Sequence, residues 1–441
     1  MDLNTLDEII NIKQIININE DILFDYFRIT NYHDDLVLKD KKNILFFPIS
    51  ILEDDVKAGW YIKEYDMRPK INEIVNNNPH YYFIIEDSMI KDMPKGSRYI
   101  VVNNIMESIN KLFEYKLNNY KGQKVCVTGS VGKTTTVGFI KAALGDKALR
   151  IYSKRITPLI LNNFVINYLN NDVDYFIVEA SLWYKEHITY FSKILKPDLV
   201  VLLDVLDEHV GIGNIKTISD ITKYKSYLLE YASNVIINNM DKELNKININ
   251  NNEVYYNNEE VVPTKVKNVI KIDEYNNLVN PYIKTRLTLL EETIAFEVAK
   301  YYNIDEKTII DRLNKAKPVE NRIEKENVYD HEIIFDGDVS GVARFNGFSD
   351  HYYDKSCLVI CDLTENGEEN EDYNKLNDLF DKFDYVFVHK DLKKYFNNKK
   401  IQYFEKIDFI KNLPNDVEIF MHYGSYFRKY DKFDVKKLEK R

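Results

Sequence analysis

The chain has 441 residues, a formal net charge of −10 and a pI near 5.5. Hydrophobic residues make up 45% and charged residues 29% of the sequence, which excludes a largely disordered protein. The length allows about three domains of ~150 residues each. The acidic balance argues against nucleic acid or an anionic membrane as the default partner, because both attract a basic surplus. Three cysteines cannot form a disulfide framework, so we expect a reducing compartment.

Neither a targeting signal nor a membrane span is evident in the sequence. The opening MDLNTLDEII carries acidic residues and no apolar segment. The strongest apolar run, residues 199–206, is interrupted by Asp204 and is far shorter than the ~20 residues that span a bilayer. We therefore expect a cytoplasmic protein without membrane insertion.

The first part of the chain, residues 1–120, mixes short apolar runs with polar turns and predicts a small α/β domain. The spacing of apolar residues over 105–119 predicts a helix that leads into the next segment.

The central part, residues 121–317, alternates strands and helices, which predicts a parallel sheet covered on both faces. Its predicted strands are 124–129, 174–180, 198–205 and 234–239, and a helix is predicted over 130–144. The Asn-rich stretch 245–262 predicts a hairpin or loop insertion, and 285–316 predicts two helices separated at Asn303.

The last part, residues 318–441, repeats the strand–helix alternation and predicts a third α/β unit. Its predicted strands are 357–363, 385–390, 401–404 and 418–424, with a helix near 373–382. Cys357 and Cys361 have strand-like neighbours, so we expect a buried pair on one face and not a metal or redox site. His187, beside Lys185 and Glu186, is expected at the surface.

One motif carries chemistry. The strand KVCVT runs into a glycine-containing loop that opens a helix, a context in which backbone N–H groups and the helix dipole bind phosphate. The usual Walker A spacing would place a glycine at 127, where this chain has valine, so the loop is a shorter G-x-x-G-K-T form. Lys133 would reach the outer phosphates and the Thr134 hydroxyl would bind Mg²⁺. The predicted nucleotide-binding residues of the loop are Gly129, Ser130, Val131, Gly132, Lys133, Thr134 and Thr135.

The segment TGSVGKTTT (128–136) resembles the nucleotide loop of the Mur ligases, a family of ATP-dependent amide ligases that includes folylpolyglutamate synthase. YFIVEASLWYKEHI (175–188), the stretch 196–229, PVENRIE (318–324) and EIIFDGD (332–338) resemble later motifs of the same family. Three stretches depart from the family pattern: Asp204 stands in place of Asn, Asn321 in place of Gly, and DGDVSGVARF (336–345) replaces the substrate segment.

The resemblance implies an α/β, three-domain Mur-ligase-like fold. The N-terminal domain would bind substrate, the central P-loop parallel sheet would have helices on both faces, and the C-terminal domain would be Rossmann-like. It also implies roles for individual residues. Besides Thr134, the metal ligands would be Glu179, His209 and a carbamylated Lys225, with Lys223 as the rival position. The same three residues and Lys133 would be catalytic, while Arg322 and Asp336 would contact ATP from the C-terminal domain.

The activity implied by the resemblance is ATP-dependent amide formation through an acyl phosphate, with ATP and Mg²⁺ as cofactors. The partners would be a small-molecule carboxylate donor, such as a UDP-sugar peptide, and an amino acid, dipeptide or amine. The loop looks most like the branch that adds a dipeptide to UDP-muramoyl tripeptide, which implies a role in cell-wall or cell-envelope precursor synthesis.

Three alternatives stay open from the sequence. The first is a capsule or polyglutamate-type amide ligase with the same chemistry. The second is a P-loop phosphotransferase or ATPase switch that makes no amide. The third is a catalytically weak paralogue that only binds nucleotide or a partner. The sequence leaves the oligomeric state undetermined.

Overall fold

A computed structural model describes most of the chain. The described residues are 1–29, 40–51, 53–57, 60–61, 63–151, 156–182, 185–207, 210–211, 215–276, 286–317, 319, 324–337, 342–345, 355–361 and 373–423. The chain divides into two compact units, Met1–Lys124 with Lys147–His187, and Val125–Asp146 with Ile188–Arg441. The predicted boundaries at residues 120 and 317 remain predictions.

The N-terminal segment contains a five-stranded sheet with the order β1-β5-β4-β3-β2. Strand β1 is antiparallel to β5, and the other neighbouring strands are parallel. Helix α4 (Ile105–Asn119) begins and ends at the predicted residues. The side chain of Asn104 caps it by accepting from the N–H of Glu107. The elements in chain order are α1 (Leu3–Ile10), β1 (Gln14–Ile16), β2 (Tyr26–Arg28), β3 (Ile44–Phe46), α2 (Glu53–Lys57), α3 (Ile71–Asn77), β4 (Tyr82–Glu86), β5 (Tyr99–Val102) and α4 (Ile105–Asn119).

The central segment has the predicted alternation of buried strands and helices. Strand β9 pairs in parallel with β6 on one side and β10 on the other, and β10 pairs in parallel with β14. Strands β7 and β8 also pair in parallel. The elements are β6 (Gln123–Thr128), α5 (Lys133–Leu144), β7 (Ala148–Arg150), α6 (Pro158–Tyr168), β8 (Tyr175–Glu179), α7 (Lys185–Leu195), β9 (Leu199–Leu202), α8 (Ile218–Ser226), β10 (Asn234–Asn238), β11 (Ile247–Asn250), β12 (Glu253–Tyr256), β13 (Glu259–Pro263), β14 (Asn268–Ile272), α9 (Arg286–Tyr301) and α10 (Glu306–Lys315).

Two sequence predictions for this segment are confirmed by the local structure. The Asn-rich stretch forms a three-stranded antiparallel sheet, β11-β12-β13, with Asn residues at positive φ in its two turns. Helices α9 and α10 separate at Asn303, whose φ of 61° no regular helix accommodates. Asp305 then caps α10 by accepting from the N–H of Thr308.

The helix α5 packs against both α9 and α10. Arg312 of α10 caps its C-terminal end, where the guanidinium Nη1 donates to the carbonyls of Ala143 (2.9 Å) and Leu144 (3.1 Å). Those carbonyls have no partner within the helix, and the cation also complements the helix dipole. Gly145 follows with a φ of 90°, and a Cβ there would lie 2.8 Å from the Arg312 Cζ. Glycine is therefore required by both conformation and space.

The C-terminal segment forms a six-stranded sheet with the order β15-β16-β20-β17-β18-β19, parallel except for β15. Cys357 and Cys361 are buried in one apolar cluster, as predicted, and burial raises the pKa of the Cys357 thiol. The helix expected near 373–382 is a 3-10 turn followed by one α-helical turn. The elements are β15 (Glu324–Val328), β16 (His331–Gly337), α11 (Val342–Phe345), β17 (Ser356–Ile360), α12 (Asn377–Phe380), β18 (Tyr385–His389), β19 (Ile401–Phe404) and β20 (Glu418–Tyr423).

The surface position expected for His187 is wrong. Its side chain is buried, and its ring stacks on Trp60 with the centroids 3.7 Å apart. His187 lies one turn before Phe191, which is also buried, so both residues are on the inner face of α7. The charged neighbours Lys185 and Glu186 suggested a surface position but do not define which face is inner. Within the described parts of the chain, no helix is both long and apolar enough to cross a membrane.

The edge strand β2 is bonded to side chains of α6. Asn167 accepts from the N–H of Phe27 through Oδ1 (2.8 Å) and donates to the carbonyl of Phe27 through Nδ2 (2.9 Å). Asn163 Oδ1 accepts from the N–H of Ile29 (3.3 Å). Two asparagine amides thus take the place of a further strand, and they satisfy backbone groups that the edge would otherwise leave unbonded.

We expect Asn167→Ala to destabilise the protein by about 2 kcal/mol, because it leaves the N–H and the carbonyl of Phe27 without these bonds. Thermal or urea unfolding would measure the change. Asn119→Ala is the matched control, since the exposed Asn119 amide bonds only within its own helix. Equal effects of the two substitutions would contradict this account of the edge.

Candidate nucleotide site

The predicted phosphate loop connects the end of β6 to the start of α5. Gly132 is the N-cap of α5 with a φ of 77°, a left-handed conformation that favours glycine. The helix is 12 residues long, so its unbonded N–H groups and dipole make this end attractive to an anion. The local structure therefore agrees with the strand–loop–helix context that the motif requires.

Lys133 is held over its own loop. Its Nζ donates to the carbonyls of Gly129 (2.9 Å) and Ser130 (2.7 Å). The ammonium group thus lies beside the loop that would receive a phosphate, and the two carbonyls fix its position. A cation in this place can compensate charge on a bound phosphate chain.

Asp204 accepts from the first N–H groups of the loop. It follows β9, and its Oδ1 accepts from the N–H of Ser130 and from the N–H of Val131 (3.1 Å). The Ser130 hydroxyl in turn accepts from the N–H of Leu206 (2.9 Å). The side chain of Asp204 is almost fully buried. The loop is therefore joined to the segment after β9 by side chains from both partners.

The segment after β9 is held from the opposite side by residues after β10. Asn238 Nδ2 donates to the carbonyl of Leu203 (2.8 Å), and Asp241 Oδ2 accepts from the N–H of Val205 (3.0 Å). The carboxyl ends of β6, β9 and β10 are thus connected in series. Ligand sites of α/β sheets lie at these ends.

Burial and neighbouring groups shift the pKa of Asp204 in opposite directions. Burial raises the pKa of its carboxyl group to about 6, and the ammonium groups of Lys225 and Lys133 act in the lowering direction. The N–H bond from Ser130 also lowers the pKa, whereas Asp241 raises it. At neutral pH Asp204 is consequently a buried, mostly ionised carboxylate between two lysines.

The two rival lysines of α8 differ in environment. Lys223 Nζ pairs with Glu259 Oε2 (2.6 Å) at the surface. Lys225 is 3% exposed and interacts electrostatically with Asp204. Of the two, Lys225 is the buried lysine whose charge acts on Asp204, which favours it over Lys223 for a functional role.

The remaining predicted site residues are distributed as follows. Glu179 is buried at the end of β8, in the unit formed by residues 1–124 and 147–187. Asp336 is buried in β16, where its register partner on β20 is the fully buried His422. His209 and Arg322 lie outside the described residues.

The donor types at these positions suit magnesium. A threonine hydroxyl and carboxylate oxygens are hard ligands that Mg²⁺ prefers, and the phosphates of a nucleotide would supply more. Among the described residues, no group of three or more His, Cys, Asp or Glu side chains could hold a metal ion by itself. A magnesium ion at the loop would therefore depend on nucleotide oxygens and Thr134 as well as on carboxylates.

Asp204, Asn238 and Asp241 were not predicted as site residues. The sequence signal for Asp204 was present, since an acidic residue directly follows the buried run of β9. A carboxylate at the end of a strand next to the loop strand can reach the loop, but strand order must be known to see this. The structure supplies that order.

The comparisons with known proteins agree with this geometry. Residues 127–280 match the family model of the Mur ligase middle domain. A stretch of 118 residues is 29% identical to the UDP-N-acetylmuramoyl-tripeptide–D-alanyl-D-alanine ligase of Rickettsia prowazekii (strain Madrid E). That alignment covers 26% of this chain and 25% of the relative, so the chain matches about a quarter of the relative's length.

Two solved structures resemble the chain over nearly its whole length. The MurF ligase from Thermotoga maritima in complex with ADP has a TM-score of 0.68 at 18% identity, covering 96% of this chain and 100% of that one. A MurF from Acinetobacter baumannii has a TM-score of 0.71 at 15% identity, covering 100% and 99%. The predicted α/β fold of the three-domain Mur-ligase type is confirmed.

We expect Asp204→Asn to change how stability depends on pH. The pKa of Asp204 is about 6 in the folded protein and 3.8 ordinarily, so the folded state retains a proton that the unfolded chain has released between these values. The contribution of this group to stability therefore falls as pH rises through that window.

Thermal unfolding of both proteins at about pH 4.5 and about pH 7 would measure the effect. The variant should gain stability relative to the parent protein as the pH rises. A difference between the two proteins that does not vary with pH would contradict the assigned environment of Asp204.

Proposed function

We propose that this protein is an ATP-dependent, ADP-forming ligase that joins a carboxylate to an amine, because residues 127–280 match the Mur ligase middle-domain model and the chain has the Mur ligase fold. The observation that carries the proposal is the loop between β6 and α5, over which Lys133 is held by two carbonyls. The loop offers N–H groups and a cation to a phosphate chain at the sheet edge where α/β proteins bind ligands.

In the proposed first step, a carboxylate oxygen of the donor attacks the γ-phosphorus of ATP. The bond from that phosphorus to the oxygen bridging to ADP breaks, which gives an acyl phosphate and ADP. Lys133 and the loop N–H groups would orient the phosphates and offset charge that builds up on their oxygens. Arg322 and Asp336 would contact the nucleotide from the C-terminal domain.

In the second step, the acceptor amine attacks the acyl carbon. The new C–N bond forms, the C–O bond to phosphate breaks, and the proton of the amine passes to solvent or to phosphate. Phosphate is a far better leaving group than the hydroxide of a free carboxylate, which is why ATP is consumed. The contribution of the protein is to hold donor and acceptor together and to exclude water from the acyl phosphate.

The sequence resemblance implies that magnesium would be held by the Thr134 hydroxyl, Glu179, His209 and a carbamylated Lys225. When bound, the ion would neutralise phosphate charge. The burial of Lys225 beside Asp204 supports a role for this lysine at the loop.

For the substrates, we propose those that the name of the Rickettsia relative gives: a UDP-N-acetylmuramoyl-tripeptide as donor and D-alanyl-D-alanine as acceptor. The reaction would belong to cell-wall precursor synthesis in the cytoplasm. A capsule or polyglutamate-type ligase uses the same chemistry with another donor and acceptor.

The test is phosphate release from ATP and Mg²⁺ over a panel of carboxylate donors, with and without amino acids, dipeptides and simple amines. UDP-muramoyl peptides and polyglutamate belong in the panel. Release that requires both a donor and an amine, with the mass of a new amide, would support the ligase and identify its substrates. Release without any acceptor would favour an ATPase switch, and nucleotide binding without release a weak paralogue.

We expect Lys133→Ala to lower turnover at least about 100-fold, because it removes a positive charge aimed at the reacting phosphates. Lys141→Ala, an exposed lysine on the same helix, is the control and should keep parent activity. Nearly normal amide synthesis by Lys133→Ala would contradict the assignment of the loop.

A further inference from the structure

We propose that Asp204 is a resident anion of the nucleotide loop. Its carboxylate holds the loop in shape before nucleotide binds, and its negative charge weakens the affinity of the loop for nucleotide phosphates. Asp204 is thus a positioning residue, and this inference rests on the proposed binding of nucleotide by the loop.

The shaping role follows from the hydrogen bonds. Asp204 Oδ1 accepts from the N–H groups of Ser130 and Val131, and its Oδ2 lies 3.4 Å from the Val131 nitrogen. A Cβ at Gly129 would lie 2.8 Å from Asp204 Oδ1, so the carboxylate is in close contact with the loop backbone. Without this acceptor, the buried N–H of Val131 would lose its bond to Asp204, and the N–H of Ser130 would keep its 3.2 Å bond to the backbone carbonyl of Asp204.

The backbone on both sides of Asp204 is also held by hydrogen bonds. Leu203 and Val205, on either side of Asp204, are bonded to Asn238 and Asp241 on the far side of the segment. The backbone that carries Asp204 is therefore held on both sides by side chains at and just after the end of β10. A phosphate chain that binds in the loop would therefore lie close to the Asp204 carboxylate.

The charge role follows from the balance of ionisable groups around the loop. The amines of Lys133 and Lys225 and the carboxylates of Asp204 and Asp241 interact electrostatically. While the Lys225 amine is free of carbamate, two positive and two negative groups compensate one another before nucleotide arrives. A carbamate on Lys225 would add negative charge and strengthen the repulsion. The polyphosphate adds more negative charge near a carboxylate in a buried region, where like charges repel strongly.

Two substitutions at Asp204 distinguish the effect of its hydrogen bonds on the loop from the effect of its negative charge. Asn retains a carbonyl oxygen that can accept the two N–H bonds but carries no charge. Ala removes both the acceptor and the charge. The inference therefore predicts that Asn raises the affinity for nucleotide and that Ala, which also removes the acceptor, gives a lower affinity than Asn.

The experiment is calorimetric titration of the full chain with ADP in the presence of EDTA, so that no metal contributes. We expect Asp204→Asn to bind ADP on the order of tenfold more tightly than the parent. Asp204→Ala should bind more weakly than Asp204→Asn. The control is Asp146→Asn, which removes the same charge from an exposed residue beyond the far end of α5, about 18 Å away along the helix.

Binding by Asp204→Asn that equals or falls below that of the parent would overturn the inference, and so would equal tightening by Asp146→Asn. If Asp204→Ala does not fold, the comparison of Asp204→Asn with the parent still decides the charge role. If the parent binds no ADP, the inference fails together with the proposed function. Tighter binding by Asp204→Asn without amide synthesis by the parent would remove the ligase proposal only.

Discussion

The hydrogen bonds from the loop N–H groups to the Asp204 carboxylate are the interaction on which the candidate site depends. A glycine-containing loop has little shape of its own, and here its form is determined by a neighbour in the sheet. The backbone on both sides of Asp204 is held in turn by side chains at and just after the end of β10. The site is thus formed by the ends of three adjacent parallel strands, and the sequence motif includes only the loop after one of them.

The helix that follows the loop is restrained at both ends for the same physical reason. Its first N–H groups face the loop, and its last carbonyls are bonded by Arg312. Helix termini leave backbone groups without partners, and each end is completed here by a charged group or by a prospective anion. The packing of α5 against α9 and α10 then keeps the loop fixed relative to the helices behind it.

Much of the fold could be predicted from the sequence because it depends on local patterns. Helix α4, the break at Asn303 and the central strands follow from hydrophobic spacing and from residues that tolerate left-handed backbone. The resemblance to the Mur ligases and the fold class followed from the nucleotide loop and its neighbouring motifs. Pairings between distant residues could not be predicted in the same way. The bond from Asp204 to Ser130 spans 74 positions in sequence, and the stack of His187 on Trp60 depends on tertiary packing. The choice between Lys223 and Lys225 likewise depended on a partner, Glu259, that sequence spacing does not identify. A sequence motif indicates which residues can bind or react, whereas tertiary packing determines which of them contact one another.

The asparagine amides along β2 have a consequence beyond the stability of the fold. An open sheet edge is a template on which another chain can add a strand, and such addition leads to aggregates. Asn163 and Asn167 occupy the backbone groups that a second molecule would use. The pairing is made by side chains of a helix and not by a strand, so it offers no new edge beyond it. The two amides therefore leave this edge with fewer free backbone groups for strand addition.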